Sequence, residues 1–190
     1  MMIFATMADD GPRQQEVVVD DSLLIGVSEG NKEAFTALYR IAGTAVYAYA
    51  LSILRNPAEA EDALQDTFLK IRCAAAVYRP QGKAMAWILT ITRNVCLMKL
   101  RQNKHLSLYA LEDARGEPDW SPVTDLEDRL VLRSAMKVLS EEECQIVILH
   151  AVTGWKHREI AAQLQLPLST VLSKYRRGLR KLKAELEGKL

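Results

Sequence analysis

Residues 174–183 carry six bases, Lys174, Arg176, Arg177, Arg180, Lys181 and Lys183, and no acid. The chemistry open to such a run is recognition of a polyanion. The planar fork of arginine matches the acceptor pair of guanine in a DNA major groove, while lysine acts as a point charge on phosphate. The residues before it fit a helix-turn-helix: Glu159-Ile160-Ala161-Ala162 on a first helix, a four-residue turn Gln165-Leu166-Pro167-Leu168, and Ser169-Thr170-Val171 opening a second helix. Ser169 is expected as the N-cap of that second helix, which brings unpaired backbone N–H groups and the positive helix end to a phosphate. Arg176 and Arg177 are then candidate base readers, Ser173 and Lys174 can reach phosphates or base edges, and Arg180, Lys181 and Lys183 suit the backbone.

The rest of the charge is also sorted into blocks, although 25 bases against 24 acids leave a net charge of only +1. Residues 56–69 hold four acids (Glu59, Glu61, Asp62, Asp66) and no base, and residues 79–104 hold six bases (Arg79, Lys83, Arg93, Lys99, Arg101, Lys104) and no acid. Residues 112–128 carry seven acids and one base. Two basic blocks in separate parts of the chain suggest two contacts with a polyanion, and the acidic block suggests a basic protein surface. Tyr78, in a turn-rich loop beside the first basic block, is a candidate for stacking on an unpaired base. Trp87 is expected in the core, since it shares a helical face with Ile91 and Val95.

These residues need long helices to position them, and the composition agrees: 49% hydrophobic, 26% charged, with 9 Gly and 6 Pro in 190 residues. The expected architecture is all-α, two small helical domains joined by a flexible acidic linker. Residues 1–20 are expected as a flexible tail, for which Met7 offers an alternative start to Met1 and Met2. Asp20-Asp21-Ser22 signals a helix start, and Gly30-Asn31 ends that helix and caps the next, over about 32–55, with Phe35, Leu38, Tyr39, Ala42 and Val46 on its buried face. Asn56-Pro57 caps a third helix reaching about Val77, and a fourth over 83–104 places Trp87, Ile91, Val95 and Met98 on one face. This closes a domain over 21–104. A linker over 105–122 follows, then a domain over 123–190: a helix at 123–138, one from the capping box Ser140-Glu141-Glu142-Glu143 to Gly154, and two over 155–164 and 169–187.

Several functions are disfavoured on the same ground. Cys73, Cys96 and Cys144 are odd in number and far apart, as expected of reduced thiols in a cytoplasmic protein. His150 and His157 lack a third ligand, so no metal site is expected. No Ser/His/Asp set or glycine-rich phosphate loop suggests an enzyme, and no catalytic residue or cofactor is expected. No apolar run is long enough to predict membrane insertion.

Two sets of motifs together resemble the extracytoplasmic-function (ECF) sigma factors of bacterial RNA polymerase, over residues 21–187. Residues Ala60-Glu61-Asp62-Ala63-Leu64-Gln65-Asp66-Thr67-Phe68-Leu69, Ala86-Trp87-Ile88-Leu89 and Thr92-Arg93-Asn94 resemble sigma region two. Leu139-Ser140-Glu141-Glu142-Glu143, Gly154, Glu159-Ile160-Ala161 and Ser169-Thr170-Val171 resemble region four. The resemblance implies that Glu61, Asp62, Gln65 and Asp66 dock on the clamp helices of core polymerase, with the flap as a further contact. It implies that Tyr78, Arg79, Lys83, Arg93, Asn94, Lys99 and Arg101 serve minus-10 recognition and melting, with a flipped base captured at the loop. Lys156, Arg158, Ser169, Thr170, Ser173, Lys174, Arg176, Arg177 and Arg180 would serve minus-35 recognition. An anti-sigma factor is implied as a further partner, beside core RNA polymerase and promoter DNA. Leu172 stands where the family usually has a base and Arg176 where an aromatic or His is common, so an unusual minus-35 sequence is expected. The alternative from another class is a stand-alone helix-turn-helix regulator, which would bind duplex DNA unaided and gives no reason for an acid-only helix followed by a base-only one.

Overall fold

A computed structural model describes residues 17–106, 135 and 137–187. These form seven α-helices and one 3-10 turn, with no strand among the described residues. They divide into two compact units, Val19–Pro122, and Val123–Leu190 together with Met1–Val18. The expected tail up to residue 16, the linker beyond residue 106, and the helix expected over 123–138 except at residues 135, 137 and 138 lie outside the described residues.

In the first unit each of the first three helices starts where a side chain supplies the acceptor that the backbone lacks. Asp20 caps α1 (Asp21–Ser28), accepting from the Ser22 N–H at 2.7 Å, and Asn31 caps α2 (Lys32–Leu54), accepting from Ala34 at 3.0 Å. Asn56 caps α3 (Pro57–Ala74), whose first residue Pro57 has no N–H to leave unpaired. Arg55 closes α2 in the left-handed region at φ 55°, uncommon for a residue with a Cβ. After α3 the chain tightens into a 3-10 turn, Ala75–Val77, and a loop leads to α4 (Ala84–Leu106).

Helix α2 packs on α1, α3 and α4, and α3 and α4 pack on each other. Over residues 45–54 it is buried on every side, with small Ala45, Ala48 and Ala50 allowing its neighbours to close around it. It is long and apolar enough to cross a membrane, yet 72% of its 18-residue apolar window is buried inside the unit, so that surface is core.

Two expected faces are rotated from their sequence reading. Tyr39 is 44% exposed, and with half-buried Phe35 it lies against the ring of Phe68, at centroid distances of 4.7 and 6.0 Å. In α4 the buried stripe is Met85, Ile88, Leu89, Thr92, Val95 and Cys96; Trp87 and Ile91 are half-buried and Met98 is 47% exposed. The helix is apolar around more than half its circumference, so spacing alone does not select the inward side. Thr92 can sit inside because its hydroxyl donates to the Ile88 carbonyl at 3.0 Å.

The second unit holds α5 (Glu141–Thr153), α6 (His157–Leu164) and α7 (Leu168–Glu187), packed pairwise around Ile146, Leu149, Ile160, Val171 and Leu182. Gly154 ends α5 at φ 72°, as its sequence position predicts. Trp155, expected inside the next helix, is instead buried ahead of its start, and α7 begins one residue earlier than expected. Ser169 is therefore the second residue of α7 and not its N-cap: Val171 N–H donates to the Pro167 carbonyl at 3.1 Å, and Gln165 reverses the chain at φ 55°. Along α7 the missing side chain of Gly178 permits close approach, since a Cβ there would lie 3.1 Å from Val147 Cγ2.

Glu143 joins α5 to α7. Its carboxylate accepts from the Ser140 N–H at 3.0 Å, while the Ser140 hydroxyl accepts from the Glu143 N–H at 3.3 Å, a reciprocal capping box. The same carboxylate, 2% exposed, lies 2.6 Å from Lys181 Nζ and 3.7 Å from Arg177 Nε. Burial alone would raise this carboxyl, but Lys181 and the Ser140 N–H favour the ionised form and hold it below its ordinary 4.5. A lowered folded value means that the contribution to stability is complete above 4.5 and is lost as pH falls through the folded value. Glu143→Gln is expected to destabilise the second unit by on the order of 2 kcal/mol at pH 7, with the deficit against wild type shrinking below pH 4.5, measured by urea denaturation at both pH values.

Candidate nucleic-acid interface

The bases of α7 are divided between two faces. Val171, Gly178 and Leu182 are buried, and Ser169, Ser173, Arg176 and Arg180, spaced four, three and four apart, are exposed on the opposite side. This outward face is the part of the expected minus-35 set that α7 itself leaves open. Lys174 instead lies 2.7 Å from Glu142, and Arg177 and Lys181 turn to Glu143 along the flank facing α5. Thr170 is half-buried on that flank. Lys156 and Arg158 are exposed at the start of α6, where the Lys156 N–H donates to the Glu159 carboxylate at 2.7 Å. His150 and His157 stack at 4.7 Å, and the Tyr175 ring meets both edge-on, so these rings fill the joint between the three helices.

In the first unit the loop after the 3-10 turn forms one wall of an open pocket of about 360 Å³. Tyr78, Arg79, Gln81 and Lys83 come from the loop, and Ala86, Trp87 and Thr90 from the outward side of α4. The rings of Tyr78 and Trp87 lie 5.0 Å apart. Asp21, the first residue of α1, holds the loop from the other side: its carboxylate accepts from the Tyr78 hydroxyl at 2.6 Å and from the Gly82 N–H at 2.8 Å. These two donors keep the Asp21 carboxyl below its ordinary value, and burial together with Asp21 pushes the Tyr78 phenol up to about 12. A cavity with aromatic walls and a rim of cations suits an unstacked base with its phosphate outside.

Of the other residues expected at the minus-10 contact, Asn94 and Arg101 are exposed on α4 and Arg93 is half-buried. Lys99 is engaged elsewhere: its ammonium lies 3.1 Å from Asp66 and 3.9 Å from Asp62, on the acidic face of α3. On that face Asp62 and Gln65 are exposed and Glu61 and Asp66 half-buried. Leu69, 51% exposed, extends the stripe by a further turn. Sequence reasoning missed the exposed Leu69, the place of Thr90 in the pocket wall and that of Trp87, which it counts as core. It also missed Asp21, whose only visible signal was its place beside a helix cap.

The family description Sigma-70 region 2 matches residues 38–106, and Sigma-70, region 4 matches residues 129–182. RNA polymerase sigma factor CarQ of Myxococcus xanthus is 30% identical over 164 residues, covering 85% of this chain and 94% of that protein. ECF RNA polymerase sigma factor SigK of Mycobacterium sp. (strain KMS) is 29% identical over 172 residues, covering 86% and 88%. Among solved structures, CnrH in complex with the cytosolic domain of CnrY aligns with a TM-score of 0.60 at 24% identity, over 89% of this chain and 97% of that one. The sigma factor RpoE in complex with the anti-sigma factor NepR from Bartonella quintana aligns at 0.62 and 23%, over 82% and 98%. At these identities the two structures speak for the fold.

The pocket loop depends on one carboxylate, so its order is open to a direct measurement. Asp21→Asn is expected to speed amide exchange at Gly82 and its neighbours in residues 78–83 while leaving α2 and α3 protected, by hydrogen exchange at pH 7. Because the folded Asp21 value is lowered, the wild-type loop should loosen in the same way only as pH falls through that value.

Proposed function

Because the chain belongs to the ECF sigma factors of bacterial RNA polymerase, we propose how its residues divide the work of promoter-specific transcription initiation. The acidic face of α3, with Glu61, Asp62, Gln65 and Asp66, docks on the clamp helices of core polymerase, and the second unit engages the flap. Tyr78, Arg79 and Lys83, with Trp87 behind them, receive an unstacked minus-10 base, while Arg93, Asn94 and Arg101 follow the released strand. The outward face of α7 enters the major groove of the minus-35 element, and Lys156 and Arg158 contact its phosphates. Lys99, Lys174 and Arg177 act through their carboxylate partners, holding α3 and α7 in position.

The observation that carries this reading is that each unit keeps its own polyanion-facing surface open, an aromatic pocket in one and the Ser169, Ser173, Arg176, Arg180 face in the other. A sigma factor needs both, because it reads duplex DNA at one element and single-stranded DNA at the next. The domain division follows from the same reading: region two over 21–104, a linker over 105–122, and region four over 123–190. The polymerase supplies the chemistry and this chain none, acting in the cytoplasm where core polymerase is found. An anti-sigma protein holds it in reserve, by analogy with RpoE, whose structure was solved with its anti-sigma factor.

The test mixes the purified chain with bacterial core polymerase and genomic DNA fragments and sequences the 5′ ends of the transcripts. Discrete new starts sharing two upstream elements are expected. Absence of new starts, together with sequence-specific duplex binding by the chain alone, would establish a stand-alone regulator instead. Within the expected outcome, Arg176→Ala should lose about 1–3 kcal/mol of discrimination at one minus-35 position. Arg177→Ala should weaken all promoters about equally, since its loss acts through Glu143.

A further inference from the structure

The basic face of α7 begins with apolar residues. Leu168 is 36% exposed and Leu172 half-buried, and with Arg176 they form a stripe at four-residue spacing beside Ser169, Ser173 and Arg180. The core side of the helix is carried by Val171, Gly178 and Leu182, which point elsewhere around the axis. As the first and fifth residues of α7, the two leucines lie at the end of the helix that reaches furthest into a groove in helix-turn-helix docking. No acid occurs on α7 before Glu185, so the surface around them is suited to duplex DNA.

We propose that Leu168 and Leu172 read thymine 5-methyl groups in the minus-35 element, an inference that rests on the assignment of α7 to that groove. Thymine is the one unmodified base that presents a methyl group in the major groove, so apolar side chains there select it. Ser173 supports the same choice. Its hydroxyl donates to the Thr170 carbonyl at 2.9 Å, which leaves the oxygen of this exposed residue to act as an acceptor. Across the edge of a T·A pair the thymine O4 stands between the methyl and the N6 amino donor of adenine, so an acceptor one step along from the apolar contact can pair with that donor. The minus-35 element of this protein therefore combines thymines, read by the leucines, with a guanine read by Arg176.

Deoxyuracil lacks only the methyl, so it isolates this contact. Each minus-35 thymine of a promoter used by the full chain with core polymerase is replaced singly by deoxyuracil, and transcript yield is measured at limiting holoenzyme. Wild type is expected to lose about fourfold at one or two positions, the value of one buried methyl. Leu172→Ala should lower yield on the thymine promoter by a similar factor and remove the further effect of uracil at one position, and Leu168→Ala should do so at another. Leu172→Met, which keeps the apolar volume, should retain the uracil penalty and so separates lost contact from lost folding. Tolerance of uracil at every minus-35 thymine, a minus-35 element without thymine, or an unchanged penalty in both alanine variants would overturn the proposal while leaving the sigma-factor reading intact. Failure to produce any promoter-specific starts would overturn both.

Discussion

Glu143 is the carboxylate on which the second unit depends. A buried negative charge is unfavourable unless donors surround it, and here they come from two elements at once: the N–H of Ser140 at the start of α5 and the cations of α7. The result fixes more than a helix end. With Lys181 and Arg177 drawn to one side and Gly178 letting the backbones close together, α7 has one rotational setting. In that setting Ser169, Ser173, Arg176 and Arg180 point away from the unit. The orientation of this outward face is thus set by residues that do not belong to it.

The first unit solves a related problem by different means. Its central helix α2 has no charged side chain along its second half, so its position is fixed by packing rather than by charge. The loop that needs definition lies at the edge, and there α1 contributes a single carboxylate. Asp21 holds the Tyr78 hydroxyl and the Gly82 N–H together, which keeps the aromatic wall and the turn in one geometry ahead of any ligand.

Much of this was legible in the sequence where the cause is local. Asn31, Asn56, Ser140 and Gly154 mark helix ends through interactions spanning a few residues, and all four act as the pattern indicates. The all-α class followed from the same signals. What the sequence concealed depends on a partner far along the chain. Lys99 and Lys174 count as bases in a block, and only the fold reveals the carboxylates of Asp66 and Glu142 beside them. Trp87 fell on an apolar stripe, but α4 turns a neighbouring stripe with satisfied Thr92 inward and leaves Trp87 to the pocket. Ser169 looked like a cap because its side chain suits one, yet Pro167 stands at the helix boundary and the start moves back by a residue.

The separation on α7 between residues that hold the helix and residues that face outward has an evolutionary consequence. Exposed positions away from caps and ion pairs tolerate replacement with changes within roughly ±0.5 kcal/mol of stability. Ser169, Ser173, Arg176 and Arg180 occupy such positions, whereas Val171, Gly178, Leu182 and Lys181 do not. With this face reading the minus-35 element as proposed, duplicated copies of a chain built this way can drift in the sequence they favour without first becoming unstable. A lineage could accumulate many such proteins, each directing a different set of genes, on one unchanged scaffold.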